Sequence, residues 1–432
     1  MGVGGLTGAA SAGAGGTQAT ARTGRLSGSS RLVNPWTIAA AIFVFSRLVA
    51  YGGGLWGAKQ YADLNPTLSA GGIADTVLRW DAGIYVSMAI NGYTWDATYN
   101  APVTAAFFPL YPFLMAALST VLRWFTPGFD WGHAYHGSYV AAGLLISAIC
   151  CYFILVFLVK MLAPRIGLTG ASLVAVGMAV LPTSFYLTAL YTEGLFVMLV
   201  LLAFVLAHSR LPAKWLCIGL AGMLAALTRS AGLLLLAAML LEYLRQRGWR
   251  WREIRSDIMF LGLIPAGTAV YAAFLWWRFG DPFWLTRIQS VPPWSRNGGY
   301  FWESYYNALV TWWTSFSGGF GQWDPLIHTG GGSRLWWELD LALPLIMLIG
   351  AWVGRKKLFA SEWAWLVPSI IFPLSTGSTQ SMSRFVLTMW PGLVWLGVVR
   401  RWGRWVAIPV LLASLALMAW CSAQFSSIKW IA

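Results

Sequence analysis

Residues 138–159 read SYVAAGLLISAICCYFILVFLV, an uncharged run closed by Lys160. A helix needs about 20 consecutive apolar residues to cross the hydrocarbon of a bilayer, so this stretch is read as a transmembrane span. Working outward from it, similar runs recur from Trp36 almost to the C-terminus of the 432-residue chain. With 58% hydrophobic and 10% charged residues, the chain departs from soluble domains, whose charged fraction is about 25%. The short alternating segments of a membrane β-barrel are absent. The fold class expected is all-α, a polytopic transmembrane helical protein.

The net charge of +14 does not form one nucleic-acid-binding patch. Basic residues come in short clusters between apolar runs: Arg22, Arg25 and Arg31; Lys160 and Arg165; Arg210 and Lys214; Arg245 to Arg255; Arg355 to Lys357; Arg400 to Arg404. This is the positive-inside pattern. The Gly-, Ala-, Ser- and Thr-rich segment 1–33 reads as a disordered basic cytoplasmic tail, and 34–432 as a single transmembrane domain. Cys150, Cys151, Cys217 and Cys421 lie in apolar runs without metal or redox spacing and read as packing residues.

The first span covers 36–56, and the basic tail sets its start inside. Further spans are expected at 138–159, 168–186, 188–207, 213–228, 230–245, 257–278, 341–354, 362–376, 385–399 and 405–424, about eleven in all. Large outer loops then occupy 57–137 and 279–340. The stretch 106–125 is long enough to cross, but a crossing would put Lys160 and Arg165 outside. Its start, Phe107-Phe108-Pro109-Leu110-Tyr111-Pro112, suits an interfacial helix. No internal repeat stands out, although many transporters are built from related halves.

An ionisable group in or beside a span is costly and is by default a functional candidate. Asp81, in the first outer loop, can accept a proton from an attacking hydroxyl. Its bland alternatives are pairing with Arg79 or capping the following helix. Glu193, the one acidic residue between Asp130 and Glu242, either binds substrate hydroxyls or joins helices. Arg229 must find an anion, a phosphate or Glu193. Arg384 opens an outer span end and either meets phosphate or snorkels to headgroups. Arg287, Arg296, Trp323, Asp324 and His328 give a weaker signal. The four histidines have no metal-site spacing, and no dedicated metal or cofactor is expected.

In the order Arg79-Trp80-Asp81, Ala106-Phe107-Phe108-Pro109-Leu110-Tyr111-Pro112, Tyr191-Thr192-Glu193, Thr228-Arg229-Ser230 and Ser383-Arg384-Phe385, the chain resembles the PIG-V-like mannosyltransferases and their bacterial relatives over about 70–390. The resemblance implies a GT-C glycosyltransferase with an acidic residue in its first outer loop, a polyprenyl- or dolichyl-phosphate sugar as donor, and inversion at the anomeric carbon. Asp81 falls at the catalytic position. Arg229 and Arg384 are expected to bind the donor phosphate, and Arg79, Trp80, Tyr85, Tyr191, Glu193 and His328 the substrates.

The Gly-, Ala-, Trp- and Arg-rich composition points to a high-GC bacterium, hence a plasma-membrane enzyme working on the outer face. The acceptor is expected to be a lipid, glycan or protein hydroxyl, and the partners are membrane lipids rather than nucleic acid. The competing classes are a lipid-linked saccharide flippase and a noncatalytic scaffold.

Overall fold

The computed structural model describes residues 34–64, 72–127, 137–292, 294–296, 298–317 and 335–428. The tail 1–33, both histidines of the 133/136 pair, Trp323, Asp324 and His328 lie outside the described residues. Regular structure among the described residues is helical, apart from one bridge between Asp96 and Ala101.

The helices are α1 (Pro35–Leu64), α2 (Ile73–Val77), α3 (Asp81–Asn91), α4 (Leu110–Phe125), α5 (Gly137–Val180), α6 (Glu193–Ala207), α7 (Lys214–Ala226) and α8 (Leu235–Gln246). They continue with α9 (Leu263–Phe279), α10 (Trp284–Arg287), α11 (Phe301–Ser317), α12 (Leu335–Gly354), α13 (Ala360–Leu374), α14 (Met382–Phe385), α15 (Trp395–Val398) and α16 (Arg400–Ser426). Among the described residues, five helical stretches are long and apolar enough to cross a membrane: Pro35–Leu64, Gly137–Val180, Ser256–Phe279, Trp336–Lys357 and Trp405–Ser426. Shorter apolar helices include α4, α6 and α7.

α1 opens on Pro35, whose missing N–H costs nothing at a first helical position. It packs along α16 through small residues. A Cβ added at Gly53 would lie 2.3 Å from the Ala419 carbonyl oxygen, and one at Gly57 2.0 Å from that of Ala423. Lipid gives apolar side chains no incentive to meet one another, so backbone approach at such stripes holds membrane helices together.

Several expected boundaries move. α1 runs on to Leu64, past the expected end at 56. Helix α5 contains Pro164 and a bend at Gly167, whose φ of 77° and ψ of 161° are not helical. It stops at Val180, so 181–192 holds only a short 3-10 helix, Ser184–Leu187, rather than the α-helix that the spans 168–186 and 188–207 required. This segment is a buried turn around Pro182, and Arg47 organises it. The Arg47 guanidinium, 4% exposed, donates to the carbonyls of Ala179 (2.7 Å) and Ser184 (2.8 Å) and to Thr188 Oγ1 (3.2 Å). The interval 385–399 is not a continuous span either. Short helical pieces interrupted at Met389 and Val394 fill it, packed against α12 and α5. α12 begins at Leu335, which draws Asp340 from the expected loop into a helix.

The basic clusters between Lys160 and Lys357 meet at one end of the bundle. Lys160 lies 4.0 Å from the Trp36 ring centroid, Arg165 pairs with Glu362 at 2.7 Å, Lys214 donates to Gln246 at 2.7 Å, and Arg245 pairs with Glu242. Arg165 and Arg245 also lie over the Phe359 ring. Lys160 thus lies at the end where α1 starts, the placement expected if 106–125 lies along the interface. α4 is accordingly 16 residues, about 24 Å at 1.5 Å per residue, and lies against the first half of α5. Tyr111 donates to the Gly143 carbonyl at 3.2 Å, and Ser119 bonds Ser138 at 2.9 Å.

Candidate active site

Four sequence-distant segments converge where α3 and α6 begin, the far end of α6 from the basic clusters. α6 has 15 residues, so the separation is about 22 Å. Glu193 is its first residue and 1% exposed. The following Gly194 lets this turn tuck under the preceding loop, because a Cβ there would lie 2.7 Å from the Leu187 carbonyl oxygen.

Asp81 is the first residue of α3. Its Oδ2 accepts from Arg384 Nη1 at 3.1 Å. Arg384 Nε in turn lies 3.2 Å from Glu193 Oε1, the same oxygen to which Arg229 Nη1 donates. The result is a chain of alternating charge, Asp81–Arg384–Glu193–Arg229, which is neutral as a set. Glu193 Oε2 is buried without a hydrogen-bond partner. The side chains of Asp81 and Arg229 are each 18% exposed, so the chain opens to the outside at both ends.

Aromatic rings wall the arginines. The Arg384 guanidinium lies 5.5 Å from the Tyr191 ring centroid and 5.7 Å from that of Tyr186, and Arg229 lies 4.9 Å from that of Phe385. Cation–π attraction strengthens when the cation is desolvated. Tyr85 is buried behind this wall, its hydroxyl 3.5 Å from Thr192 Oγ1 and its ring edge-on to those of Phe107 and Tyr111. Burial, and then the Glu193 and Asp81 charges, push the Tyr85 phenol above its ordinary range, so it remains protonated.

The alternative Asp81–Arg79 pairing does not form. Arg79 binds Asp75 at 3.1 Å, donates to the Ser426 carbonyl at 3.1 Å, and accepts the Tyr191 hydroxyl on its own carbonyl. Arg79 and Tyr191 thereby tie the segment before Asp81 to α6 and α16. The capping alternative fails as well, because the residue preceding the helix is Trp80 and no side-chain cap bond forms.

Trp80 has φ 55° and ψ −124°, and Ser381, just ahead of Arg384, has φ 72°. Such conformations cost a non-glycine residue about 1–3 kcal/mol and cluster at functional sites. Both acid and arginine are thus delivered by strained turns.

Two further residues bear on the site. Asp340, buried in α12, accepts the Ser383 backbone N–H at 2.7 Å and fixes the turn that carries Arg384. Its sequence signal was a carboxylate inside an apolar run, missed because the expected span began one residue later. Arg296, half-buried, stands in the loop before α11 just after Ser295, whose φ is 45°. It makes no ion pair among the described residues. Burial first, and next the Arg384 charge, hold its guanidinium below the ordinary value, while Asp81 acts in the opposite sense. Arg287 instead pairs with Asp281 on the surface, and His328 lies outside the described residues. Among the described residues, no three His, Cys, Asp or Glu side chains group as metal ligands.

No family model matches the chain, and no curated protein is similar to it in sequence. Among solved structures, the chain is similar to the crystal structure of ArnT from Cupriavidus metallidurans bound to undecaprenyl phosphate. The identity is 10% and the TM-score 0.48, with 90% of this chain and 76% of that chain covered.

Proposed function

We propose that the chain is a membrane glycosyltransferase of GT-C type that moves a sugar, mannose, from a polyprenyl-phosphate carrier to a lipid, glycan or protein hydroxyl. The observation that carries this reading is the ion-pair chain joining Asp81, Arg384, Glu193 and Arg229 at one end of an apolar helical bundle. The resemblance of five motifs to those of PIG-V-like mannosyltransferases supports the choice of sugar. A translocation path would string its charges along the bundle, whereas these gather at one end. That end is opposite the basic clusters, which by the positive-inside pattern supports an outward-facing site in a bacterial plasma membrane.

The reaction is one in-line displacement. Asp81 accepts the proton of the acceptor hydroxyl as its oxygen attacks the anomeric carbon. The carbon–oxygen bond to the carrier breaks with inversion, and polyprenyl phosphate leaves with the electron pair. Arg384, next to the base, stabilises charge on the departing phosphate, with Arg229 behind it. Glu193 holds both arginines through one oxygen and offers the other to a sugar hydroxyl. Trp80 lies beside the reacting groups, Tyr85 supplies a phenol donor beneath them, and Arg79 and Tyr191 position the Asp81 segment. The donor is a substrate, and the displacement uses no cofactor.

Purified Asp81→Asn, assayed with polyprenyl-phosphate-mannose and membrane acceptors, is expected to lose about 10²- to 10⁴-fold in turnover. Near-normal turnover in a correctly folded variant overturns the assignment. Mass spectrometry of envelope lipids and glycans from a deletion strain identifies the acceptor by its missing sugar.

A further inference from the structure

An apolar cavity of about 470 Å³ opens between α11, α12 and α13, within the usual range for ligand sites of roughly 300–1,000 Å³. Phe301, Tyr305, Leu309, Leu345, Leu348 and Ile370 line it. Leu309 and Leu345 are more than two-fifths exposed, so the cavity opens sideways on the bundle, where lipid would stand. From Asp340, beside the Arg384 turn, α12 descends to Leu348 over about 12 Å. On α12 the cavity thus begins about one helical turn below Asp340 and runs on into the apolar depth.

Its upper end is tied to that site. The Gly299 N–H donates to the Ser375 carbonyl at 3.1 Å, and Ser304 Oγ donates to the Leu374 carbonyl at 2.7 Å. Trp294 packs on Phe107 at 5.4 Å between ring centroids, and Phe107 packs on Tyr85 at 5.2 Å. Arg296 lies between these two anchors, on the strand of chain leading from the charged site to the cavity mouth.

Charge balance gives Arg296 its meaning. The Asp81–Arg384–Glu193–Arg229 chain is neutral, and both of its arginines are committed to carboxylates. A phosphate arriving there needs a further cation, and a half-buried arginine without an ion pair is costly unless an anion joins it. We propose that the α11–α12–α13 cavity takes the isoprenoid tail of the donor and that Arg296, at its mouth, takes the phosphate. This inference rests on the glycosyltransferase reading, and it commits the cavity to a prenyl chain rather than a phospholipid acyl chain.

The test uses full-length protein in nanodiscs of defined phospholipid. Transfer is measured from long-chain polyprenyl-phosphate-mannose and from its short geranyl counterpart. Ile370→Trp and Leu345→Trp, which fill the cavity, are expected to lower the long-to-short ratio of kcat/KM by about tenfold. Arg296→Gln should raise KM for both donors by about ten- to hundredfold with a smaller change in kcat, and Arg296→Lys should recover part of it.

An unchanged chain-length ratio in folded cavity variants, or an unchanged KM in Arg296→Gln, overturns the inference while leaving the glycosyltransferase reading intact. If the wild type transfers from neither donor, that reading fails, and a second measurement still decides the cavity. A sugar-free polyprenyl phosphate bearing a diazirine in its tail should crosslink to 301–309 and 344–371, and excess phospholipid should not compete it away. Crosslinks elsewhere, or equal competition by phospholipid, count against the proposal.

Discussion

Replacing Glu193 by glutamine removes the one negative charge that two arginines share, with almost no change of shape. The carboxylate is 1% exposed, and the side chains of Arg229 and Arg384 are 18% and 11% exposed, so solvent screens the loss only slightly. Breaking a buried pair from one side costs about 3–5 kcal/mol. Arg384 keeps Asp81, and the glutamine carbonyl can still accept from Arg229, which puts the expected loss at the lower end, about 3 kcal/mol. Against a total stability of about 5–15 kcal/mol, that is a large fraction.

The cost comes from leftover positive charge, so removing some of that charge should restore stability. The double variant Glu193→Gln with Arg229→Gln is expected to lose less than the sum of its singles by about 1–3 kcal/mol. Thermal unfolding of all four proteins in one detergent, followed by tryptophan emission, measures the cycle. An unchanged midpoint in Glu193→Gln, or strictly additive losses, refutes the shared-carboxylate account.

Three other outcomes follow from the same contacts. Arg384→Lys puts a single point charge where a planar guanidinium spans Asp81 and Glu193, and turnover should fall by about 10²- to 10³-fold, read as kcat at saturating donor. Arg47→Ala removes a donor from the Ser184 carbonyl and one of two from the Ala179 carbonyl, which keeps the Ser184 hydroxyl, and should cost about 1–3 kcal/mol, read as a lower unfolding midpoint and lost folded yield. Gly57→Leu drives side-chain atoms into the Ala423 carbonyl, and overpacking of about 1–3 kcal/mol or more should appear as a loss of monodisperse protein in size-exclusion chromatography.

Asp81 illustrates how reading a sequence can find a residue and misjudge its neighbour. Its position beside a span, in Arg79-Trp80-Asp81, marked it as a candidate, and local spacing suggested Arg79 as partner. The observed partner, Arg384, is 303 residues away. Arg79 faces the other way because Asp75 stands one helical turn before it. Arg47 was overlooked because it lies inside the first apolar run, where the charge rule should have picked it out. Arg296 carried only a weak signal, since nothing in Trp294-Ser295-Arg296 reveals that the loop folds back towards the charged site.

Composition and hydropathy alone set the solvent and the element type. Long uncharged runs cannot leave their backbone groups unsatisfied in lipid, so they must be helical, and basic clusters must gather at one end. The same logic favoured an interfacial helix over a crossing at 106–125, and Lys160, against Trp36, ends its helix beside the start of α1. Which charge meets which, and where helices break, follows from packing between remote segments. Ion pairing depends on distances of a few ångströms between segments whose separation in the chain carries no periodic signal. The breaks at 181–192 and 385–399 depend on buried donors and backbone contacts supplied by remote helices. Hydropathy measures the affinity of a segment for lipid, and both broken segments are apolar because they are buried in protein.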